Sequence, residues 1–598
     1  MNQGFRGATA VAVAAMLTAL QPTCAAAQAA PPPVDAPPPE ALDLGARALE
    51  AVNQMIQRPP APLAAPTEDG ALPIPEAAET QPVPIAAVRF LGRDGAPLAP
   101  GQGLPLDALN AAAAGLVGPD ATAADVIRAH DRMKAALREE GFLFTSIADP
   151  QLTVAEDGRA YIAAFRILGI TVTEAVPVLA EAGEDPDAAP PAVFAQIEKI
   201  LRPLQGKANP TLADLERVSL LATDLPGVVR ATFVPAGGAE PGQLKLFLNV
   251  EFRPVSGVFF ADNRQSPALG PVLFGAVASV NSWNSMAATT EVAAFNSAAP
   301  FSGELGLDQR HTLRVAQRFF FGETSDKLEI YGLWSQSSPG DFLERLELES
   351  EEVKLGFLYE RPMVRTRPYS FWIGAGAEWR NATTEDRSGI FADDTVTALV
   401  ASARMERRHE SGYTRLQAEG RVGLDLFGAT GGDDVDKSRD DADGTFVLAR
   451  VAATQVQELA NDFSLLGRAM VQWTPEPLLS GEQLSAGGAL FGKGYDPSEI
   501  SGDYGAMVYA ELRHDISTDI DGIPLDLQFY AFGDYAEIYR IDDDTEFGEQ
   551  SRSSIGAGVR IGYEGAELTL EAAQPVSDPL GRTADKNPRF FFSLIKRF

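Results

Sequence analysis

Residues 588–598 read Pro-Arg-Phe-Phe-Phe-Ser-Leu-Ile-Lys-Arg-Phe. Phe590, Phe592, Leu594 and Phe598 share one parity, and Arg589, Ser593 and Arg597 share the other. Successive side chains of a strand point to opposite faces, so this segment is a strand with one apolar face that finishes on an aromatic residue. Such a face suits lipid, with water opposite and an aromatic at the membrane boundary, as in a transmembrane β-barrel. An amphipathic edge strand of a soluble sheet alternates in the same way, so the rest of the chain decides between the two.

From Val255 onward, segments of ~9 to 13 residues alternate in polarity between turns rich in Gly, Asp, Ser and Asn. All five tryptophans, Trp283, Trp334, Trp372, Trp379 and Trp473, fall in this part. About sixteen segments can be counted, a number that barrel geometry accommodates around a water-filled lumen. They start near Val255, Gly270, Ala287, Gln309, Asp326, Leu346, Tyr369, Thr395, Gly412, Gly444, Asp462, Tyr504, Ile523, Ser553, Gly565 and Pro588. The fold class is therefore a membrane all-β barrel of about sixteen antiparallel strands over residues 255–598. A soluble array of β-sandwiches is the alternative.

The chain has 598 residues and a net charge of −33, from 49 basic and 82 acidic side chains. An acidic surface disfavours nucleic acid, whose phosphates attract basic patches. No stretch reaches the roughly 20 apolar residues that a spanning helix needs. The nearest, Ala8 to Leu20, follows Arg6 and precedes Ala25-Ala26-Ala27, the pattern of a secretory signal peptide over residues 1–27. The single cysteine, Cys24, falls before that cut, and Gln21-Pro22-Thr23 is a poor approach to a lipidation site. The mature chain then avoids disulfide chemistry in an oxidising compartment. Together these features point to the envelope of a Gram-negative bacterium.

Residues 28–58 are predicted to hold an Ala/Pro-rich disordered segment and then a helix from Glu40 to Arg58. Leu42, Leu49, Val52 and Ile56 form its apolar stripe at helical spacing. Residues 59–83 are a Pro-rich linker. Residues 84–167 then run strand, helix, helix, strand, strand, and residues 168–254 repeat that order. The predicted helices are Pro105 to Leu116, Thr122 to Glu140, Pro191 to Arg202 and Leu212 to Thr223. Two copies of one ~85-residue unit indicate tandem α+β modules.

One barrel connection is unusually long. Residues 474–503 contain Gly487-Gly488 and Phe491-Gly492-Lys493-Gly494-Tyr495-Asp496-Pro497. Loops of this length are usually functional or disordered, and the glycines permit close backbone packing.

Two modules ahead of sixteen strands, with a Gly-rich loop before the twelfth, resemble the transporters of two-partner secretion. These form the haemolysin/haemagglutinin secretion/activation family, a branch of the outer-membrane insertase superfamily. The modules resemble polypeptide-transport-associated (POTRA) domains. The resemblance is most specific in three places. These are Leu225-Pro226-Gly227-Val228, Asp262-Asn263 with Gly270, and Gly487-Gly488…Lys493-Gly494-Tyr495…Gly502-Asp503-Tyr504-Gly505.

The resemblance implies a protein transporter that exports a large partner exoprotein, recognised through its N-terminal secretion domain by the POTRA modules and passed through the barrel. It implies POTRA modules in the periplasm, contact with outer-membrane lipid, and help from the barrel assembly machinery during biogenesis. No nucleic acid and no cofactor are implied. The Gly-rich loop becomes a lid folded into the barrel, locked by Lys493, Gly494, Tyr495 and Asp534, with the Lys493 cation against the Asp534 carboxylate. The family has Arg where this chain has Lys493, which lacks the bidentate fork. Parity agrees with an inward Asp534, because Asp526, Gln528, Tyr530, Phe532 and Asp534 share one face. The alternative for both residues is a solvated loop cation and a solvated lumen acid. The helix 40–58 becomes a plug that threads the barrel, with a periplasmic docking helix as the alternative.

Rival functions are a barrel assembly factor of the same superfamily and, less well matched, a passive porin. An enzyme is not expected. His130, His311, His409 and His514 lack metal-ligand spacing, and no nucleophile or phosphate-loop motif occurs. Asp433-Asp434-Val435-Asp436, Asp440-Asp441-Ala442-Asp443 and Asp542-Asp543-Asp544 lack a full calcium-loop pattern and are expected in solvated external loops.

Overall fold

The computed structural model describes residues 82–598 apart from 99–102, 157, 181–191, 284–286, 299–308, 341–343, 345–346, 388, 521, 542–548 and 580–585. The predicted signal peptide, the helix carrying Leu42, Leu49, Val52 and Ile56, nearly all of the linker, and Asp542 to Asp544 lie outside the described residues.

The first module comprises β1 (Ile85–Leu91), α1 (Leu106–Ala112), α2 (Ala123–Glu139), β2 (Ser146–Ile147), β3 (Gln151–Val154) and β4 (Tyr161–Leu168). The second comprises β5 (Thr171–Leu179), α3 (Phe194–Leu201), α4 (Leu212–Thr223), β6 (Val228–Gly237) and β7 (Gln243–Phe252). In each, the first strand lies parallel to the last, β1 on β4 and β5 on β7. The remaining strands pair antiparallel. The helices cover one face of each sheet. Met133 and Leu137 pack with Phe165 in the first module, and Ile197 and Leu221 pack with Leu246 in the second.

The repeat extends to the caps. Thr122 and Asp125 close a capping box on α2, and Thr211 and Asp214 close one on α4. Each box satisfies backbone N–H groups that a helix start would otherwise leave unpaired. Burial works against the charge of Asp214. Bonds from Lys207, at 2.7 Å, and from Thr211 outweigh it and hold the carboxyl below its usual range. That contribution is present at neutral pH and is lost as the pH falls through the lowered value. Thr211→Ala is expected to cost about 1 kcal/mol, read as a lower urea midpoint for residues 82–254.

The barrel strands are β8 (Val255–Asp262), β9 (Val272–Asn281), β10 (Thr289–Ala298), β11 (Arg310–Phe321), β12 (Asp326–Ser337) and β13 (Glu349–Arg365). They continue with β14 (Tyr369–Asp386), β15 (Gly389–His409), β16 (Gly412–Leu424), β17 (Val447–Glu458) and β18 (Phe463–Trp473). Within the long loop lie β19 (Leu484–Ala486) and β20 (Ile500–Gly502), followed by the wall strands β21 (Tyr504–Ile520), β22 (Ile523–Tyr539), β23 (Glu549–Tyr563), β24 (Ala566–Pro575) and β25 (Arg589–Arg597). The sixteen wall strands form one closed antiparallel barrel. The predicted strand count and class hold.

Closure joins β25 to β8, from Ser593 opposite Asp262 to Arg597 opposite Val258. Asn263 prolongs this seam past the end of β8. Its side-chain amide donates to Phe590 O at 3.0 Å and accepts from the Phe592 N–H at 2.7 Å.

Alternation separates two environments. Leu313, Ile330, Leu355, Phe357, Leu399 and Phe529 project outward and are exposed, a face that suits lipid. The inner wall is charged. Glu291 and Glu329 bracket Arg314 and Arg318 at 2.5–3.1 Å, which satisfies charges that a lumen would otherwise hold unpaired.

The second module seats against the near end of the barrel, where the turns between wall strands are short. Ala287 and Phe320 join its hydrophobic core. Arg365 grips Asp224 through two nitrogens at 2.6 and 2.8 Å, and Arg367 meets Glu216 at 2.9 Å. Bidentate Arg–carboxylate contacts add orientation as well as energy.

Candidate functional site: the lid loop

The segment between β18 and β21 folds into the barrel. β19 and β20 pair antiparallel, Leu484 opposite Gly502 and Ala486 opposite Ile500. Gly487, Gly488 and Gly492 all have positive φ, a backbone region that side chains other than glycine rarely adopt. They let the tip turn tightly inside the lumen. Leu484, Phe491 and Ile500 pack on Met507, Tyr509, Tyr530, Phe532 and Ile538 of the inner wall. Inward positions of β21 and β22 are therefore aromatic and aliphatic because the lid covers them.

Lys493, Gly494, Tyr495 and Asp534 come together at the tip, all buried. The geometry departs from the expected ion pair. Asp534 accepts the backbone N–H of Lys493 at 3.0 Å and the Ser554 hydroxyl at 2.7 Å. The Lys493 ammonium turns instead to Glu571 on β24, at 2.7 Å. It lies over the Phe532 ring, 4.6 Å from its centroid, with the rings of Tyr509 and Tyr530 at 5.2 and 5.9 Å. Arg264 takes the other Glu571 oxygen at 2.7 Å, and the Tyr530 hydroxyl donates to Glu571 at 2.8 Å. One buried carboxylate thus bridges two cations. The compact ammonium fits a cage of three rings, where cation–π attraction adds to the ion pair.

Gly494 lies flat on the wall. A Cβ there would stand 2.8 Å from Pro575 N, 2.9 Å from the Gln574 carbonyl carbon and 3.0 Å from Ser554 Cβ. Its N–H donates to Ser554 Oγ at 3.1 Å. The Tyr495 hydroxyl lies 2.8 Å from Ser553 O and 3.0 Å from Ser577 O. Asp496 receives Arg589 of the last strand at 2.8 Å.

Glu571 was missed at the sequence level, although a signal existed. Leu568 and Leu570 share one parity in β24 and Glu571 the other, so the acid had to face inward. Asp503, at the end of the lid, lies in the Gly502-Asp503-Tyr504-Gly505 stretch. It is fully buried and receives Arg439 Nη1 at 2.5 and 2.7 Å.

Arg439 belongs to the acidic segment between β16 and β17, which was expected to be a solvated loop. Asp433, Asp434 and Asp436 are indeed exposed. The segment nonetheless packs down, with Ala442 and Phe446 against Leu478 and Leu479 of the lid arm. Among the described residues, no group of three or more His, Cys, Asp and Glu side chains is placed to hold a metal.

Residues 344–562 match the family model of the haemolysin secretion/activation protein ShlB/FhaC/HecB. The resemblance drawn from the lid motifs therefore stands on an independent match. The fold is similar to that of CdiB from Escherichia coli, with a TM-score of 0.68 at 16% identity, covering 88% of this chain and 93% of that one. It is also similar to CdiB from Acinetobacter baumannii, with a TM-score of 0.62 at 13% identity, covering 92% and 97%. No curated protein matches the sequence.

Proposed function

We propose, from the match to the haemolysin secretion/activation family and from the barrel with two modules ahead of it, that this protein is an outer-membrane transporter of a two-partner secretion system. Its cargo is a large exoprotein that arrives unfolded from the periplasm. The observation that carries this reading is the lid, an internal loop seated on one side of a closed barrel through a few removable contacts. A passive pore has no use for modules gripped to one end of its wall.

In this reading the modules lie in the periplasm and meet the cargo first. β6 is an edge strand, with Val229 and Val234 exposed. An exposed edge can accept an extended segment, main-chain hydrogen bonds supplying affinity and side-chain pockets specificity. The cargo then passes the lumen once the lid yields. Folding outside makes export effectively one-way. In this reading residues 40–58, predicted from sequence as a helix, serve as a plug, and their deletion is expected to raise ion conductance in planar bilayers without preventing barrel assembly. Unchanged conductance would put that helix outside the pore.

The test of the whole reading is direct. If a large exoprotein is encoded beside this chain, cells that express both should release the exoprotein, and cells lacking the chain should retain it in the periplasm. The purified N-terminal domain of that exoprotein should bind residues 82–254. Equal release with and without the chain would reject the transporter reading.

A further inference from the structure

We infer that Arg439 is a positioning residue for the lid: the acidic segment outside the barrel clasps the return arm of the lid through the Arg439–Asp503 pair, and lid release requires that pair to break. The inference rests on reading residues 474–503 as the lid, and it adds a second mooring remote from the tip.

Asp503 sits where the lid rejoins the wall, between β20 and β21, and is fully buried. Its carboxylate gathers three separate segments. The Leu478 N–H, on the outgoing arm of the lid, donates to it at 3.0 Å. The Ile541 N–H, from the loop after β22, donates at 2.7 Å. Arg439, from the acidic segment, donates to both oxygens at 2.5 and 2.7 Å. Of these donors only Arg439 carries a charge. A buried carboxylate that loses its cation keeps its desolvation cost without its Coulomb partner.

Arg439 is in turn held in place. Asp441 receives its Nε at 2.6 Å and its Nη2 at 2.8 Å, and Ile541 O accepts from Nη2 at 2.8 Å. The segment that carries it is stitched to both neighbours. The Ser438 hydroxyl bonds Asp394 on β15 at 2.5 Å and accepts the Ser480 N–H of the lid at 3.0 Å. Lys437, two residues before Arg439, serves only the segment's own fold. Its ammonium donates to Gly432 O at 2.6 Å and Ala442 O at 3.1 Å. Asp433, Asp434 and Asp436 stay exposed, while the arginine bridges Asp441 of its own segment to Asp503 of the lid.

Lys437 and Arg439 make the test specific. Both changes loosen the same segment, but only one removes the counter-charge of Asp503. In planar bilayers, full-length protein with Arg439→Ala should show large openings severalfold more often than wild type. Arg439→Lys should fall between the two, and Lys437→Ala should stay near wild type. Asp503→Asn removes the need for a counter-charge while leaving an acceptor, so Arg439→Ala added to Asp503→Asn should change opening frequency little. If Arg439→Ala does not assemble, as judged by heat-modifiable migration, the Arg439→Lys and Asp503→Asn variants carry the same comparison.

Opening frequency equal to wild type in Arg439→Ala would overturn the clasp, and so would equal effects of Arg439→Ala and Lys437→Ala. Conductance needs no cargo. A wild-type chain that opens as described but exports nothing would count against the transporter reading and leave the clasp standing.

Discussion

Gly494→Val should expel the lid tip, raise conductance and lower export at least tenfold, while the barrel still assembles. The cause is space alone. Gly494 is not held in a backbone conformation reserved for glycine, but a Cβ there would press on Pro575 N and the Gln574 carbonyl carbon at 2.8 and 2.9 Å. Two of the three nearest atoms are wall backbone, which cannot rotate aside as a side chain would. Overpacking a fitted core costs about 1–3 kcal/mol, and a rigid wall puts this site toward the upper end.

Displacement also breaks the contacts around the tip. These are the Lys493 N–H to Asp534, the Gly494 N–H to Ser554, and the Tyr495 hydroxyl with Ser553 O. Each contributes about 1 kcal/mol net, so a shift that breaks them together releases the tip. None of them belongs to the ladder between wall strands, so assembly should survive. Gly533→Ala is the comparator. It lies on the neighbouring wall strand, and its nearest prospective contact is 3.8 Å away. Wild-type conductance and export in Gly494→Val would mean that the tip does not need its seat.

What could be read from the sequence follows from what periodicity encodes. The strand starts expected at Val255, Asp326, Tyr369, Gly412, Tyr504 and Ile523 coincide with those observed, because the apolar faces resume at those points. β15 was expected from Thr395 but begins at Gly389. Asp393 breaks the outward apolar row there, and before Thr397 the strand ladder runs to β14 alone. Parity also gave the inward face of Asp534 correctly. It could not give the partner of Lys493. Period two fixes a face, whereas a contact across a lumen also depends on height along the wall and on the path of the loop. The Arg439–Asp503 pair joins two irregular segments 64 residues apart, where no periodic signal exists.

Glu571→Gln is the other large effect expected, and it separates the two candidate partners of Lys493. The Glu571 side chain is almost wholly buried between Lys493 and Arg264. Removing its charge leaves two cations facing each other in a site closed by Phe532 and Phe591. Breaking a buried pair by deleting one partner costs about 3–5 kcal/mol. Lys493→Met should cost less, because Glu571 keeps Arg264 and the Tyr530 hydroxyl. The lid should therefore loosen more in Glu571→Gln than in Lys493→Met, read as accessibility of the tip to protease in the folded barrel.

Double-mutant cycles then distinguish the contacts. Lys493→Met with Glu571→Gln should be strongly non-additive, because the two side chains face each other directly. Lys493→Met with Asp534→Ala should couple more weakly than that pair. Asp534 holds the lysine's backbone N–H, and methionine keeps that N–H. Asp534→Ala alone should still hurt, since it strands the Ser554 hydroxyl as well. Coupling of Lys493 to Asp534 with none to Glu571 would restore the direct Lys493–Asp534 pair and sink the assignment of Glu571 as the counter-charge of the lid.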